Sequence, residues 1–466
     1  MKKISIYASL LLLVANNLTA DMITYKSYLK DNGTFKFKNT PLYANNINQW
    51  FLKGVYATKI KSNYFTYIKG GDDYNTYGIG TAIKYRTASF KDIYISAETD
   101  IVLHPIISAI PDNINNYYNG IDLINKEQFL ATGKADWYSI PELNITYQPS
   151  RSFYLRYGNQ GYNNLMVSEN DTKMVKNSFS GLSMLYANEE FNYNSALFNK
   201  QKLRNHTDYH DVIKYNGFKE NDDSSSHRGL TETNGLNFDT YLVLNEVNIS
   251  YIPKTKISIS NAYIKDLFTS TTNDIKYFIP FSGFNLVFGA RYFIQQDLGA
   301  GKIGGASLSG DTTLGNYTNV DSVNASMYAG NMTIKTEDSI YMFGYSKVED
   351  KADIITPWRN FATKGYTRSM GITNWYANTK SYMFQMKSKL DKYGIAVLDY
   401  TYVDNDETKV NSRGVLLQDY QVYHIDYTIN NFSSLKNLQL KTRYSYITFQ
   451  DGHVEQDIRT EFNYLF

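Results

Sequence analysis

Ile458-Arg459-Thr460-Glu461-Phe462-Asn463-Tyr464-Leu465-Phe466 closes the chain in an alternating pattern. Small or apolar residues occupy 458, 460, 462, 464 and 466, with Arg459, Glu461 and Asn463 between them. A period of two puts an aromatic face on one side of a strand and a wettable face on the other. An aromatic terminus on such a strand is the ending expected of a membrane-spanning β-barrel, provided the rest of the chain agrees.

The first twenty residues carry the pattern of a secretory signal. Lys2 and Lys3 precede a mostly apolar run from Ile4 to Ala15, and Leu18-Thr19-Ala20 offers a small residue before Asp21. The run is too short for a transmembrane helix and is interrupted by Asn16 and Asn17. No later stretch approaches the ~18 apolar residues of a membrane helix. The exported chain is therefore either soluble or crosses a membrane as strands, because only helices and closed barrels satisfy every backbone group in lipid.

Composition favours strands. Tyr supplies 43 and Phe 25 of 466 residues against 8 Pro, as suits strands and the aromatic girdles of a barrel. A mean hydropathy of −0.43 fits too, since only alternate residues of a barrel face lipid. Without Lys2 and Lys3 the chain carries 45 basic and 45 acidic residues, so a nucleic-acid partner has no support. The absence of Cys excludes disulfides and thiolate metal sites, and no cofactor is implied.

From about Trp50 onward, strand-like runs come in pairs. Short turns fall near 87–89, 148–150, 188–190, 253–255, 281–283, 336–338, 391–392 and 431–433. Nine other connections, many long, cover roughly 68–74, 103–141, 158–177, 200–240, 267–272, 298–319, 349–379, 404–418 and 450–454. Eight short turns alternating with nine connections predict an all-β, antiparallel transmembrane barrel of about 18 strands, with short periplasmic turns and long extracellular loops. The domain reading is a signal peptide over 1–20, an N-terminal periplasmic extension over 21–48, and a barrel over 49–466. Phe35 and Phe37 alternate with Lys36 and Lys38, so the extension can hold a short strand. A β-solenoid would show a fixed short repeat, and none is present.

Three segments resemble the OprD-type family of outer-membrane porins. Ala82-Ile83-Lys84-Tyr85-Arg86-Thr87-Ala88-Ser89-Phe90 is similar to its early strand and turn. Leu155-Arg156-Tyr157-Gly158-Asn159-Gln160, with Asn170 to Gly181, is similar to the strand end and segment around its third loop. Gln421-Val422-Tyr423-His424-Ile425-Asp426-Tyr427 and the final strands are similar to its closing hairpins. Asn159 and Lys173 stand where the family usually has Arg, and Lys176 where it has Pro.

The resemblance implies an eighteen-stranded porin passing small solutes and ions by diffusion. Its surroundings would be outer-membrane lipid and lipopolysaccharide, the barrel assembly machinery would receive the C-terminal strand, and a homotrimer is admitted. It also implies that the third loop folds inward, making Glu169, Asp171, Lys173 and Lys176 candidates for a pore constriction. The family carries a basic ladder along one wall. Here alternation puts Lys84, Arg86, Arg156, Arg291, Lys387, Lys441, Arg443 and Arg459 on the inward phase. A charge on the lipid face near mid-membrane costs about 2–4 kcal/mol, which favours that phase. Glu98, Asp100, Asp399, Asp426 and Glu461 would balance them.

Other signals are weaker. His206, Asp208, His210 and Asp211 suggest a metal cluster, but they lie in a polar loop without helical pattern. Gly299 to Gly305 lacks the Walker spacing and reads as a flexible loop. No catalytic motif stands out, so an enzyme is not expected. The expected function is passive diffusion of small hydrophilic solutes and ions, including anionic nutrients such as carboxylates or amino acids. The alternative is an outer-membrane adhesin working through loops 103–141 and 200–240.

Overall fold

The structure is a computed structural model that describes residues 27–29, 34–37, 41–70, 72–106, 123–169, 173–213, 226–231, 240–432 and 435–466. A small hairpin, β1 (Ser27–Leu29) and β2 (Phe35–Phe37), precedes a six-residue helix, α1 (Ile47–Leu52). The wall then runs through β3 (Val55–Lys69), β4 (Asp72–Arg86), β5 (Ile93–Ile106), β6 (Trp137–Ser150), β7 (Phe153–Gln160), β8 (Ser178–Ala187) and β9 (Phe191–Lys202). A two-residue strand, β10 (His210–Asp211), adds to the end of β9. The wall resumes with β11 (Leu242–Ile249), β12 (Thr255–Ile264), β13 (Phe268–Phe281), β14 (Phe284–Asp297), β15 (Ala325–Lys335) and β16 (Ser339–Val348). It finishes with β17 (Lys380–Lys389), β18 (Ile395–Asp404), β19 (Tyr420–Phe432), β20 (Leu435–Phe449) and β21 (Val454–Leu465).

Eighteen long antiparallel strands close into a barrel, in agreement with the predicted count. The last strand makes the seam. β21 pairs with β3 from Glu455↔Lys69 to Leu465↔Lys59, and the Phe466 N–H donates to the Thr58 carbonyl at 2.8 Å. Among the described residues closure leaves no long strand of the wall with a free edge, which is the condition for a sheet to sit in lipid. Among the described residues no helix is long and apolar enough to cross a membrane.

Alternation sorts the wall into two faces. Tyr56, Tyr64, Ile145, Tyr147, Phe288, Tyr292, Phe384, Tyr423 and Phe462 point outward and are exposed. Lys59, Asn63, Glu98, Thr146, Asp274, Arg291 and Glu461 are buried on the opposite phase, inside the barrel. Polar side chains are buried there because connections fold into the lumen and pack on them. Two polar-rich connections thus become interior. An apolar cluster runs from Tyr162, Met166 and Val167 of the 161–177 connection to Trp358, Phe361, Tyr366 and Trp375 of the 349–379 connection.

The residues just ahead of the wall make defined contacts. α1 is capped by Asn46, whose side chain accepts from the Gln49 N–H. Trp50 then donates its indole N–H to the Ile93 carbonyl at 3.1 Å, tying α1 to the turn at 87–92. Gly299 to Gly305, expected as a flexible loop, is instead packed. A short helix, Ala300–Gly304, is held by Asp297, whose Oδ1 accepts from the N–H groups of Gly299 and Gly301. A Cβ on Gly301 would lie 2.3 Å from the Asp321 carbonyl oxygen, so glycine here permits close packing rather than mobility.

Candidate functional site

The 161–177 connection is placed from its root. Gly158 on β7 and Gly181 on β8 stand directly opposite each other with φ of 117° and 145°. A Cβ on Gly158 would come within 2.4 Å of the Leu143 carbonyl oxygen. Only glycine fits that backbone and that approach. Beyond it the chain turns into the lumen. Leu165 donates its N–H to Glu246 on β11 at 2.7 Å, and Ser168 donates its N–H to the Trp358 carbonyl at 2.9 Å. On the far side, Asn63 of β3 donates its side-chain amide to the Lys173 carbonyl at 3.2 Å, and the Lys173 ammonium sits 3.7 Å from the centre of the Phe65 ring. Met174 and Val175 pack with Phe65, Val102 and Trp137.

The strongest anchor is electrostatic. Register places Lys84 opposite Glu98, and Glu98 opposite Glu142. Two carboxylates side by side on neighbouring strands repel. Lys176 enters between them, 2.7 Å from Glu98 and 2.5 Å from Glu142, while Lys84 lies 3.1 and 2.7 Å from the same pair. Two ammonium groups and two carboxylates alternate in a buried, neutral ring. Without Lys176, Lys84 alone would stand within ion-pair distance of the two buried carboxylates, so the loop residue completes a site that the wall lysine must otherwise serve by itself.

The 349–379 connection is fixed to the opposite wall. Arg291 donates Nε and Nη2 to Asp274 at 2.9 and 2.7 Å, and Nη1 to the carbonyls of Ala362 and Lys364 at 2.9 and 2.8 Å. Tyr366 donates its hydroxyl to Asp274 at 2.9 Å. A Cβ on Gly344 of β16 would lie 2.0 Å from the Tyr366 carbonyl oxygen, so the connection rests on the bare strand. Nearer its start, Asp353 accepts from the Tyr317 hydroxyl, the Ala377 N–H and the Leu308 N–H at 2.8, 2.8 and 2.9 Å. Burial pushes the Asp353 carboxyl up to about 6.

Of the four candidate constriction residues, Glu169, Lys173 and Lys176 are buried inside the barrel, and Asp171 lies outside the described residues. Glu169 lies 3.4 Å from Lys36 of the N-terminal hairpin. The eight basic wall residues are spread around the barrel, and five of them lie against carboxylates. Lys441 is 3.0 Å from Asp426, Arg459 is 2.6 Å from Asp457, and Arg443 bonds Glu461. Arg156 donates to the Thr146 hydroxyl at 3.0 Å, and the Arg86 guanidinium lies 4.9 and 5.7 Å from the ring centres of Phe37 and Tyr94. Lys387 shares the phase of Ser381 and Met383 and is half-buried.

Sequence reasoning did not single out the 349–379 connection. Its signal was available: Trp358, Phe361, Tyr366, Trp375 and Tyr376 are too aromatic for a solvated loop. The interior acids Glu142, Glu246, Asp274 and Asp457 were also passed over. His206 and His210 do meet, at 3.1 Å between ring nitrogens, but no group of three or more metal-ligating side chains occurs among the described residues.

No protein-family model matches the chain, and no curated protein matches it. Solved structures do. OpdK of Pseudomonas aeruginosa, crystallised with vanillate, is 10% identical and superposes with a TM-score of 0.68 over 90% of this chain and 99% of its own. OccK8 (OprE) of the same organism is 13% identical with a TM-score of 0.67, covering 90% and 99%. OccAB4 of Acinetobacter baumannii is 15% identical with a TM-score of 0.64, covering 90% and 100%. The chain has the fold of the OprD- and Occ-type outer-membrane porins.

Proposed function

We propose that the chain is an outer-membrane porin through which small hydrophilic solutes and ions diffuse passively, with the 161–177 connection as its constriction. The observation that carries this reading is the Lys176 ring. A loop that crosses the lumen and supplies the charge its wall lacks has a defined seat there, and a seated loop narrows the path. The closed barrel and its aromatic outer face support residence in the outer membrane. The similar solved structures are channels, which supports transport over catalysis.

The solute class we propose is small anions and zwitterions, such as carboxylates and amino acids, with weak charge preference. Basic side chains line the lumen, but most of those named stand against acids, so their field is largely cancelled. The adhesin alternative rests on 103–141 and 200–240, where residues 107–122, 214–225 and 232–239 lie outside those described. Liposome swelling separates the two. Swelling in glycine, benzoate and glucose supports the porin, and a folded barrel that admits none of them overturns it.

A further inference from the structure

The N-terminal hairpin has a seat inside the barrel. Phe35 is 1% exposed and packs against Ala57 on β3, Ala82 on β4 and Leu465 on β21. All three share the inward phase of Lys59, Lys84 and Asn463. They lie beside the seam, at the end of the barrel where the chain enters and leaves the wall. Two alanines on adjacent strands leave a recess the depth of a ring. Cations line its rim: Lys59 and Lys84 lie 5.5 and 5.9 Å from the Phe35 ring centre, and Arg86 lies 4.9 Å from that of Phe37. The next residue makes a second contact. Lys36 reaches Glu169 of the 161–177 connection at 3.4 Å. Glu169 is itself 1% exposed, its carboxylate lying over Gly161, where a Cβ would come within 2.0 Å of Oε2.

We propose that the β1–β2 hairpin is a luminal latch: Phe35 seats in the Ala57/Ala82/Leu465 recess, Lys36 locks onto Glu169, and the hairpin narrows the pore below the 161–177 connection. The inference rests on the porin reading and deepens it by adding a second, releasable restriction from the chain's own N-terminus. Among the described strands β1 and β2 pair with each other, and the wall closes into a barrel without them, so the hairpin is the element that can leave without unfolding the barrel.

The chain has no cysteine, so a single introduced thiol reports without background. Phe35→Cys in the refolded, full-length protein is treated with a polar maleimide. Seated, the thiol labels at least tenfold more slowly than the same protein in urea. Lys36→Glu in that background sets two carboxylates together and accelerates labelling at least tenfold, and adding Glu169→Lys restores protection. The same charge variants, with Phe35 intact, are recorded in planar bilayers, where Lys36→Glu raises unitary conductance and the double exchange lowers it again. Labelling of Phe35→Cys at the urea rate, or no response to Lys36→Glu in either readout, overturns the latch. Because labelling needs no conduction, a chain that protects the thiol yet never conducts defeats the porin reading and leaves the seat intact.

Discussion

Replacing Lys176 with Met tests the constriction from its strongest contact. The side chain lies within 2.7 Å of both Glu98 and Glu142, and all three are almost fully buried. Met keeps the volume and removes the charge. Lys84 then faces two carboxylates alone, and one negative charge is left in a site closed to water. Breaking a buried ion pair from one side costs about 3–5 kcal/mol. That shifts the ratio of seated to released loop by roughly a hundredfold to several-thousandfold. Single-channel recording should show larger or flickering conductance and a reversal potential moved toward cation preference. Lys176→Met combined with Glu142→Gln returns the cluster to neutrality, with Lys84 facing Glu98, and should recover most of the wild-type trace. A Lys176→Met channel with unchanged conductance, noise and reversal potential would show that the charge ring does not hold the loop.

Three further outcomes follow from the same geometry. Arg291→Lys keeps the charge but cannot serve Asp274 and the carbonyls of Ala362 and Lys364 together, so the 349–379 connection loosens by about 2–3 kcal/mol, read as faster proteolysis there with the barrel intact. Gly344→Ala drives a methyl into the Tyr366 carbonyl and should displace that connection too, whereas Gly330→Ala, where a Cβ would meet only the Gly289 carbonyl oxygen at 3.8 Å, should leave proteolysis of that connection unchanged. The raised Asp353 carboxyl, about 6 when seated against about 3.8 when released, binds its proton more tightly in the seated state. Its grip is therefore fullest below pH 4 and falls by about 3 kcal/mol as pH rises through 6. Hydrogen exchange at the Leu308 and Ala377 amides, corrected for intrinsic rate, should show this loss, and Asp353→Asn should flatten it.

The barrel was legible because its rules are local. Alternation along Phe284 to Tyr292 fixes which side chains meet lipid, and turn formers such as Thr336-Glu337-Asp338 mark where strands reverse. Counting turns then gives the strand number without any long-range contact. The interior was less legible, because its contacts join residues far apart in sequence. Lys176 and Glu98 are 78 residues apart, and Arg291 and Ala362 are 71 apart. Alternation could place Lys84 and Arg291 inward, but it could not say that Lys84 would share two acids with a loop lysine, or that Arg291 would grip a loop backbone. Glu142 escaped notice because Pro141 and the irregular pairing between Glu98 and Asp100 interrupt the period in that strand. Phe35 and Phe37 announced a strand, but nothing local says that its partner is the inside of a barrel.

Planar-bilayer recording of the purified, refolded protein decides whether the barrel conducts. Stepwise, ohmic openings in symmetric salt, with a reversal potential near zero charge preference in a salt gradient, are the predicted result. A protein that is folded by heat-modifiable mobility on gels, inserts into the bilayer and passes no current would contradict it.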